Sequence, residues 1–176
     1  ALVRANGAGP VYLPVVYRQP TPTPDPGWRF EYFNNPGLTA PVVYTTYEMS
    51  QFVEKEWGTG GPGNGVNPDY FSARVSRTLW FDAGSYQFAV TADDGARFYI
   101  DGALVIDIWS GSVRGTHSGI YERTFSASGY HELRCEYNEY FGDARVRLFW
   151  TNLGQFPAWR AEYWNNETMS GDPVVV

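Results

Sequence analysis

Two adjacent carboxylates, Asp93 and Asp94, sit in the run Thr91-Ala92-Asp93-Asp94-Gly95-Ala96, directly after a segment patterned as a β-strand. A turn there aims both side chains at one point. Calcium takes roughly six to eight hard oxygen ligands, often completed by loop carbonyls, so such a pair suits it. The same residues also read as a plain hairpin turn at Asp94-Gly95 with Asp93 in solvent. Residue chemistry alone leaves both readings open. A helix–loop–helix calcium site is excluded, because the D-x-D-x-D-G spacing is absent.

No other constellation competes with this pair. The two histidines, His117 in a loop and His131 at a strand start, are not spaced with another His or Cys for metal binding. No Gly-x-Ser-x-Gly or comparable nucleophile setting occurs. Cys135 is the sole cysteine, so there is no intramolecular disulfide and no thiolate metal site. In Leu133-Arg134-Cys135-Glu136-Tyr137 it alternates onto the face of Leu133 and Tyr137, as a buried core thiol, and His131 is read as out of phase with it. The 19 Asp and Glu suffice in number for a glycosidase carboxylate pair, but nothing singles one out. An enzyme is therefore not expected. Asn166-Glu167-Thr168 is a formal N-glycosylation acceptor, and Thr21 and Thr23, between prolines, suit O-linked sugars.

Composition fixes the class of scaffold that must hold the aspartates. Thirteen Lys and Arg against 19 Asp and Glu give the 176-residue chain a net charge of −6. An electrostatic grip on nucleic acid or anionic lipid needs the opposite balance. No apolar run approaches the ~20 residues of a membrane-spanning helix. The chain is 43% hydrophobic and 18% aromatic, too apolar for disorder, while 19 Gly and 12 Pro oppose long helices. The expected protein is a turn-dense all-β domain. Ala1-Leu2-Val3, without an initiator Met, reads as the start of a mature chain after cleavage of a leader.

The strand signals run from Trp28 to about Phe156. Phe71 to Phe81 is a strand ending at Asp82-Ala83-Gly84, after which Tyr86, Phe88, Val90 and Ala92 alternate with polar or small neighbours. Asp94-Gly95 and Asp101-Gly102 follow as turns flanking a short strand with Phe98 and Ile100, then Leu104-Val105-Ile106. A Gly/Ser-rich loop, Ser110 to Gly119, precedes strands at Tyr121 to Phe125, His131 to Tyr137 and Ala144 to Trp150. The glycine-rich stretch Trp57 to Asn67 is read as a surface loop. Many short strands of this kind predict an antiparallel two-sheet β-sandwich.

Several motifs in order carry a family resemblance. They are Trp28-Arg29-Phe30-Glu31-Tyr32-Phe33-Asn34-Asn35, Trp57-Gly58-Thr59-Gly60 and Asp69-Tyr70-Phe71-Ser72-Ala73-Arg74, then Gly84-Ser85-Tyr86-Gln87-Phe88. Asp93 through Gly102, Leu104-Val105-Ile106-Asp107 with Trp109, and the closing Val146-Arg147-Leu148-Phe149-Trp150 complete the set. Together, over about residues 28–152, they resemble the protective-antigen-type (PA-fourteen) β-sandwich domain of bacterial surface adhesins and yeast flocculin lectins. The resemblance implies a secreted, cell-surface module. It also implies a Ca²⁺ site and a terminal sugar held through adjacent aspartates joined by a cis peptide, at the positions of Asp93 and Asp94. A second calcium loop would span Asn138-Glu139-Tyr140-Phe141-Gly142-Asp143. There Asn138 would be the side-chain ligand, with Glu139 as its rival one residue on, and Tyr140 and Gly142 would offer carbonyls. Trp109, Tyr140 or Phe141 would stack on the sugar's apolar face. The expected function is calcium-dependent carbohydrate binding or adhesion.

The ends suggest an alternative, the subunit of an extracellular filament. Residues 1–19 form an expected extended arm carrying Val11-Tyr12-Leu13-Pro14-Val15-Val16-Tyr17, and residues 20–27 a Pro-rich linker. The sandwich is assigned residues 28–156. Residues 157–176 restart its motif, since Trp159-Arg160-Ala161-Glu162-Tyr163-Trp164-Asn165-Asn166 repeats six of the eight residues from Trp28 to Asn35. Val11, Tyr12, Leu13, Val15, Val16 and Tyr17, with Trp159, Tyr163 and Trp164, would then link copies of the chain by strand addition.

Overall fold

The computed structural model describes residues 25–109, 115–154 and Thr168. The arm residues Val11 to Tyr17, the repeat residues Trp159, Tyr163 and Trp164, and most of the linker lie outside these residues. The strands are β1 (Trp28–Phe33), β2 (Tyr44–Glu48), β3 (Val53–Gly58), β4 (Phe71–Phe81) and β5 (Gly84–Asp93). They continue with β6 (Gly95–Ile100), β7 (Ala103–Ile108), β8 (His117–Phe125), β9 (Gly129–Glu139) and β10 (Ala144–Asn152). Two antiparallel sheets result, a six-stranded one in the order β2-β1-β4-β9-β6-β7 and a four-stranded one in the order β3-β10-β5-β8. This is the two-sheet sandwich that the strand signals predict. Among the described residues no helix is long and apolar enough to cross a membrane.

Alternation builds the interior. On β5, Tyr86, Phe88, Val90 and Ala92 are buried while their neighbours are half-exposed. On β9, Leu133, Cys135 and Tyr137 point the same way, and on β10 Val146 and Leu148 do. Each such side chain withdrawn from water contributes ~1.5–3 kcal/mol, and Trp28, Phe30, Phe71, Phe88 and Phe98 are all fully buried. Phe88 and Phe98, from opposite sheets, lie 5.6 Å apart and close the layer between them. Cys135 is completely buried and its thiol is pushed up to about 12, which makes it inert packing. His131, two strand positions before Leu133, shares the face of Cys135, because residues four apart on a strand point the same way. The out-of-phase reading is corrected. Its ring stacks on Phe125 at 4.0 Å and its Nδ1 lies 2.7 Å from Asp101 Oδ2.

Two further expectations are overturned. β5 and β6 belong to different sheets, so Asp94-Gly95 is not a hairpin turn but the corner where the chain crosses between layers. Asp101-Gly102 is a true hairpin turn joining the paired strands β6 and β7, with positive φ at both residues (51° and 79°), as a two-residue type I′ connection requires. The Gly/Ser-rich loop also ends earlier than expected, since His117, Ser118 and Gly119 already pair with Ala92, Thr91 and Val90. Gly119 is needed there because a Cβ would stand 2.4 Å from Ile106 Cγ2.

Besides β2–β3, β4–β5 and β8–β9, which cross between sheets at the far end, four crossing connections gather at one end. β3–β4, β5–β6, β7–β8 and β9–β10 all cross there, and the end of β5 meets the starts of β8 and β10. At the far end Asp25, the described tail of the Pro-rich stretch, is tied down by Arg77 Nε at 2.9 Å. The Arg77 guanidinium holds the Asp25 carboxyl below the usual carboxylate range.

Candidate functional site

Asp94 lies at the centre of the gathered loops and is 1% exposed. Its Oδ1 accepts the Gly115 N–H at 3.1 Å and its Oδ2 the Tyr140 N–H at 2.9 Å, so one carboxylate ties the β7–β8 and β9–β10 connections together. Its main-chain carbonyl accepts from His117 Nδ1 at 2.8 Å. A carbonyl only accepts, so His117 Nδ1 must carry a proton in this contact. The peptide between Asp93 and Asp94 is cis. Asp93 is more open: its Oδ2 accepts from Thr116 Oγ1 at 3.1 Å, and Arg145 Nη2 stands 4.0 Å away while donating to the same threonine at 2.8 Å.

Beneath the pair, Tyr137 and Glu139 occupy the inward face of β9. The Tyr137 hydroxyl bonds the Asp93 carbonyl and reaches Glu139 Oε2 at 2.7 Å. A phenol has one proton, and the Asp93 carbonyl has none to give. Both contacts are satisfied together only when Glu139 itself carries a proton and donates to the phenol oxygen. The electrostatics agree with that count. Burial pushes the Glu139 carboxyl up to about 7, against the pull of the Tyr137 hydroxyl and with help from the charges of Asp94, Asp93 and Asp69. Burial and the Glu139 charge also raise the Tyr137 phenol far above its ordinary value. Glu139 Oε1 is buried without a hydrogen-bond partner.

The β9–β10 loop closes over this centre. Asn138 is buried and stands in register with Ser72 on one side and Gly95 on the other, next to the aspartate corner but on the opposite face of β9 from Glu139. The Tyr140 carbonyl accepts the Tyr70 N–H at 3.2 Å, and the Gly142 N–H donates to Asp69 Oδ1 at 3.1 Å. Gly142 has φ of 106°, which a glycine adopts without strain. Phe141 is 39% exposed with its ring 4.4 Å from that of Tyr70. Trp109 faces elsewhere, its ring lying beneath the Arg97 guanidinium at 4.4 Å and its main-chain N–H donating to Asp107 Oδ1 at 3.1 Å.

Asp93, Asp94, Glu139 and Tyr140 are thus joined by hydrogen bonds through Tyr137 and the loop backbone, with Asn138 beside them by register, while Trp109 is engaged on the outer face of β6 and β7. Asp69, Tyr70, Gly115, Thr116, His117 and Arg145 were not singled out from sequence as site residues. Asp69 and Tyr70 did fall within a family motif, but their partners lie some seventy residues on, as the 73-residue separation of Asp69 and Gly142 illustrates. Among the described residues no group of three or more His, Cys, Asp and Glu side chains is disposed to hold a metal ion by itself. A cation held here would draw on the aspartate pair together with loop carbonyls, the donor set calcium accepts.

Comparison with known proteins agrees with the two-sheet fold. Over 131 residues the chain is 28% identical to anti-sigma-I factor RsgI3 of Acetivibrio thermocellus, covering 73% of this chain and 19% of that protein. The chain therefore spans about a fifth of the curated relative it matches. An anti-sigma factor domain-containing protein from Clostridium clariflavum superposes with a TM-score of 0.63 at 28% identity, over 84% of this chain and 48% of the other. A structure described as the PA14 sugar-binding domain from RTX adhesin shares the fold at a TM-score of 0.53 and 21% identity, over 73% of this chain and 90% of the other. The PA14 domain profile matches residues 25–156, from the docked Asp25 through both sheets and every loop of the site, and the chain belongs to the PA14 domain family.

Proposed function

We propose that this chain is an extracellular binding module that takes a neutral carbohydrate in a calcium-dependent manner at the Asp93–Asp94 corner. The observation that carries the reading is the convergence of four carboxylates, Asp69, Asp93, Asp94 and Glu139, on one end of the sandwich, opposed by Arg145. So much negative charge around a buried corner is unfavourable unless protons or a cation offset it. The residues fit calcium in kind. Asp93 and Asp94 supply hard oxygens, each Asp94 oxygen keeps a lone pair beyond its backbone contact, and the carbonyls of Tyr140 and Gly142 lie in the adjoining loop. The unpartnered buried Glu139 Oε1 is a further oxygen whose burial a cation would offset.

When bound, calcium would bring two sugar hydroxyls into its coordination sphere. The chain's own residues do the rest. Gly115 and Tyr140 N–H groups fix Asp94, Thr116 and Arg145 hold Asp93, and the exposed Phe141 ring offers an apolar surface beside the corner. A binding module accounts for these features without catalytic groups. A glycan array probed with and without a calcium chelator tests the reading. Calcium-dependent capture of a neutral glycan, lost in Asp93→Ala, is expected. Capture that persists with chelator present or in Asp93→Ala contradicts it.

A further inference from the structure

Tyr70 is an aromatic residue whose placement the sandwich itself does not require. It has φ of 54°, in the left-handed region that a bulky residue adopts only under constraint, and it is 45% exposed. The constraint comes from the β9–β10 loop. The Tyr70 N–H donates to the Tyr140 carbonyl at 3.2 Å, and its neighbour Asp69 accepts from the Gly142 N–H at 3.1 Å. The Tyr70 ring then meets Phe141 edge-on, with centroids 4.4 Å apart and planes at 85°, and Tyr140 at 5.9 Å and 75°. Two rings at right angles, each partly in water, make an L-shaped apolar corner. The Tyr140 N–H of the same loop bonds Asp94, so that corner is fixed directly to the aspartate pair.

The loop contacts hold the left-handed backbone in place, but the apolar surface the two rings leave in water is a cost that core packing does not offset. A ligand that covers the rings would offset it. Its chemistry follows from the surroundings. The rings favour a flat patch of C–H groups, and the carboxylates of Asp69, Asp93 and Asp94 disfavour an anion. A neutral pyranose, with one face of axial C–H bonds and a rim of hydroxyls, meets both demands. We propose that Tyr70, with Phe141, is the stacking wall that selects a neutral pyranose at this site, so that the β3–β4 connection is a specificity-determining element. This rests on the carbohydrate reading above and adds a residue to it.

The test separates stacking from stability. Tyr70→Gly removes the ring and relieves the left-handed backbone, so the thermal midpoint should hold or rise, whereas a residue kept for structure alone would lower it. Saturation-transfer NMR with methyl glycosides of glucose, galactose, mannose and xylose, in excess calcium, reads binding to the wild-type chain and its variants. Tyr70→Gly is expected to weaken the best glycoside at least tenfold, and Tyr70→Phe to restore it to within about twofold. Wild-type affinity in Tyr70→Gly overturns the proposal while leaving the carbohydrate reading intact, provided Asp93→Asn still abolishes binding. No transfer to any glycoside from the wild-type chain overturns both. Preferential binding of glucuronate over glucose overturns the assignment of a neutral ligand.

Discussion

The dipeptide Asp-Gly occurs at 94–95 and again at 101–102, seven residues apart, and the two copies do opposite things. Asp101-Gly102 turns the chain back on itself within one sheet, with both residues at positive φ and the Asp101 side chain receiving the Glu132 N–H at 3.0 Å. Asp94-Gly95 carries the chain from one sheet to the other, and Asp94 is buried with its oxygens bonded to N–H groups of two different loops. In the first, the turn geometry is local and the exposed carboxylate bonds a neighbouring strand end at His131 and Glu132. In the second, the carboxylate organises backbone 21 and 46 residues away. A residue's role here follows from what the opposite strands bring to it.

Removing the two aspartates should separate the roles most sharply. Asp94→Ala leaves two N–H groups without their charged acceptor in a buried setting and is expected to cost ~3–5 kcal/mol of unfolding free energy. Asp101→Ala loses two exposed contacts, to the Glu132 N–H and His131 Nδ1, and a left-handed turn residue, and is expected to cost ~1–2 kcal/mol. Urea denaturation of both variants compares them, and equal losses would erase the distinction.

Protonation tests the same corner with a smaller effect. Glu139 titrates near 7 in the folded chain and near 4.5 when unfolded, so between those values the native state holds a proton that the unfolded state has released. The stabilisation is fully present below about 4.5 and is lost as pH rises through about 7, by up to ~3 kcal/mol. Unfolding free energies of the metal-free chain across pH 4.5–8, compared with Glu139→Gln, should show this loss in the wild-type chain and its absence in the variant. The hairpin copy should barely respond to the mildest change. Asn tolerates the left-handed region, so Asp101→Asn is expected to shift stability by less than ~1 kcal/mol, checked by thermal unfolding.

The contrast also marks what the sequence made legible. The alternation of Tyr86, Phe88, Val90 and Ala92, and the Asp101-Gly102 turn, are local patterns, and each appears in the structure as read. Asp93 and Asp94 stood out because adjacent carboxylates after a strand are chemically conspicuous. The ordered motifs pointed to the family, and with it the two-sheet fold. Three things were not legible. Whether a turn joins strands of one sheet or two depends on strand order, which no dipeptide encodes. His117 looked like a loop histidine because Ser, Gly and His weigh against a strand, and only pairing with β5 and the contact to the Asp94 carbonyl reveal its place. Tyr70 entered only as part of the motif from Asp69 to Arg74, and neither its left-handed φ nor its ring contact with Phe141 follows from its sequence neighbours.

The central claim is that the Asp93–Asp94 corner binds calcium and, through it, a sugar. Titration calorimetry of Ca²⁺ into the metal-free chain and into Asp93→Asn tests it most directly, since Asp93 is partly exposed and its substitution leaves the buried Asp94 contacts in place. The account predicts saturable heat at one site per chain, lost in Asp93→Asn. No saturable heat in the wild-type chain, or an isotherm unchanged by Asp93→Asn, would contradict it.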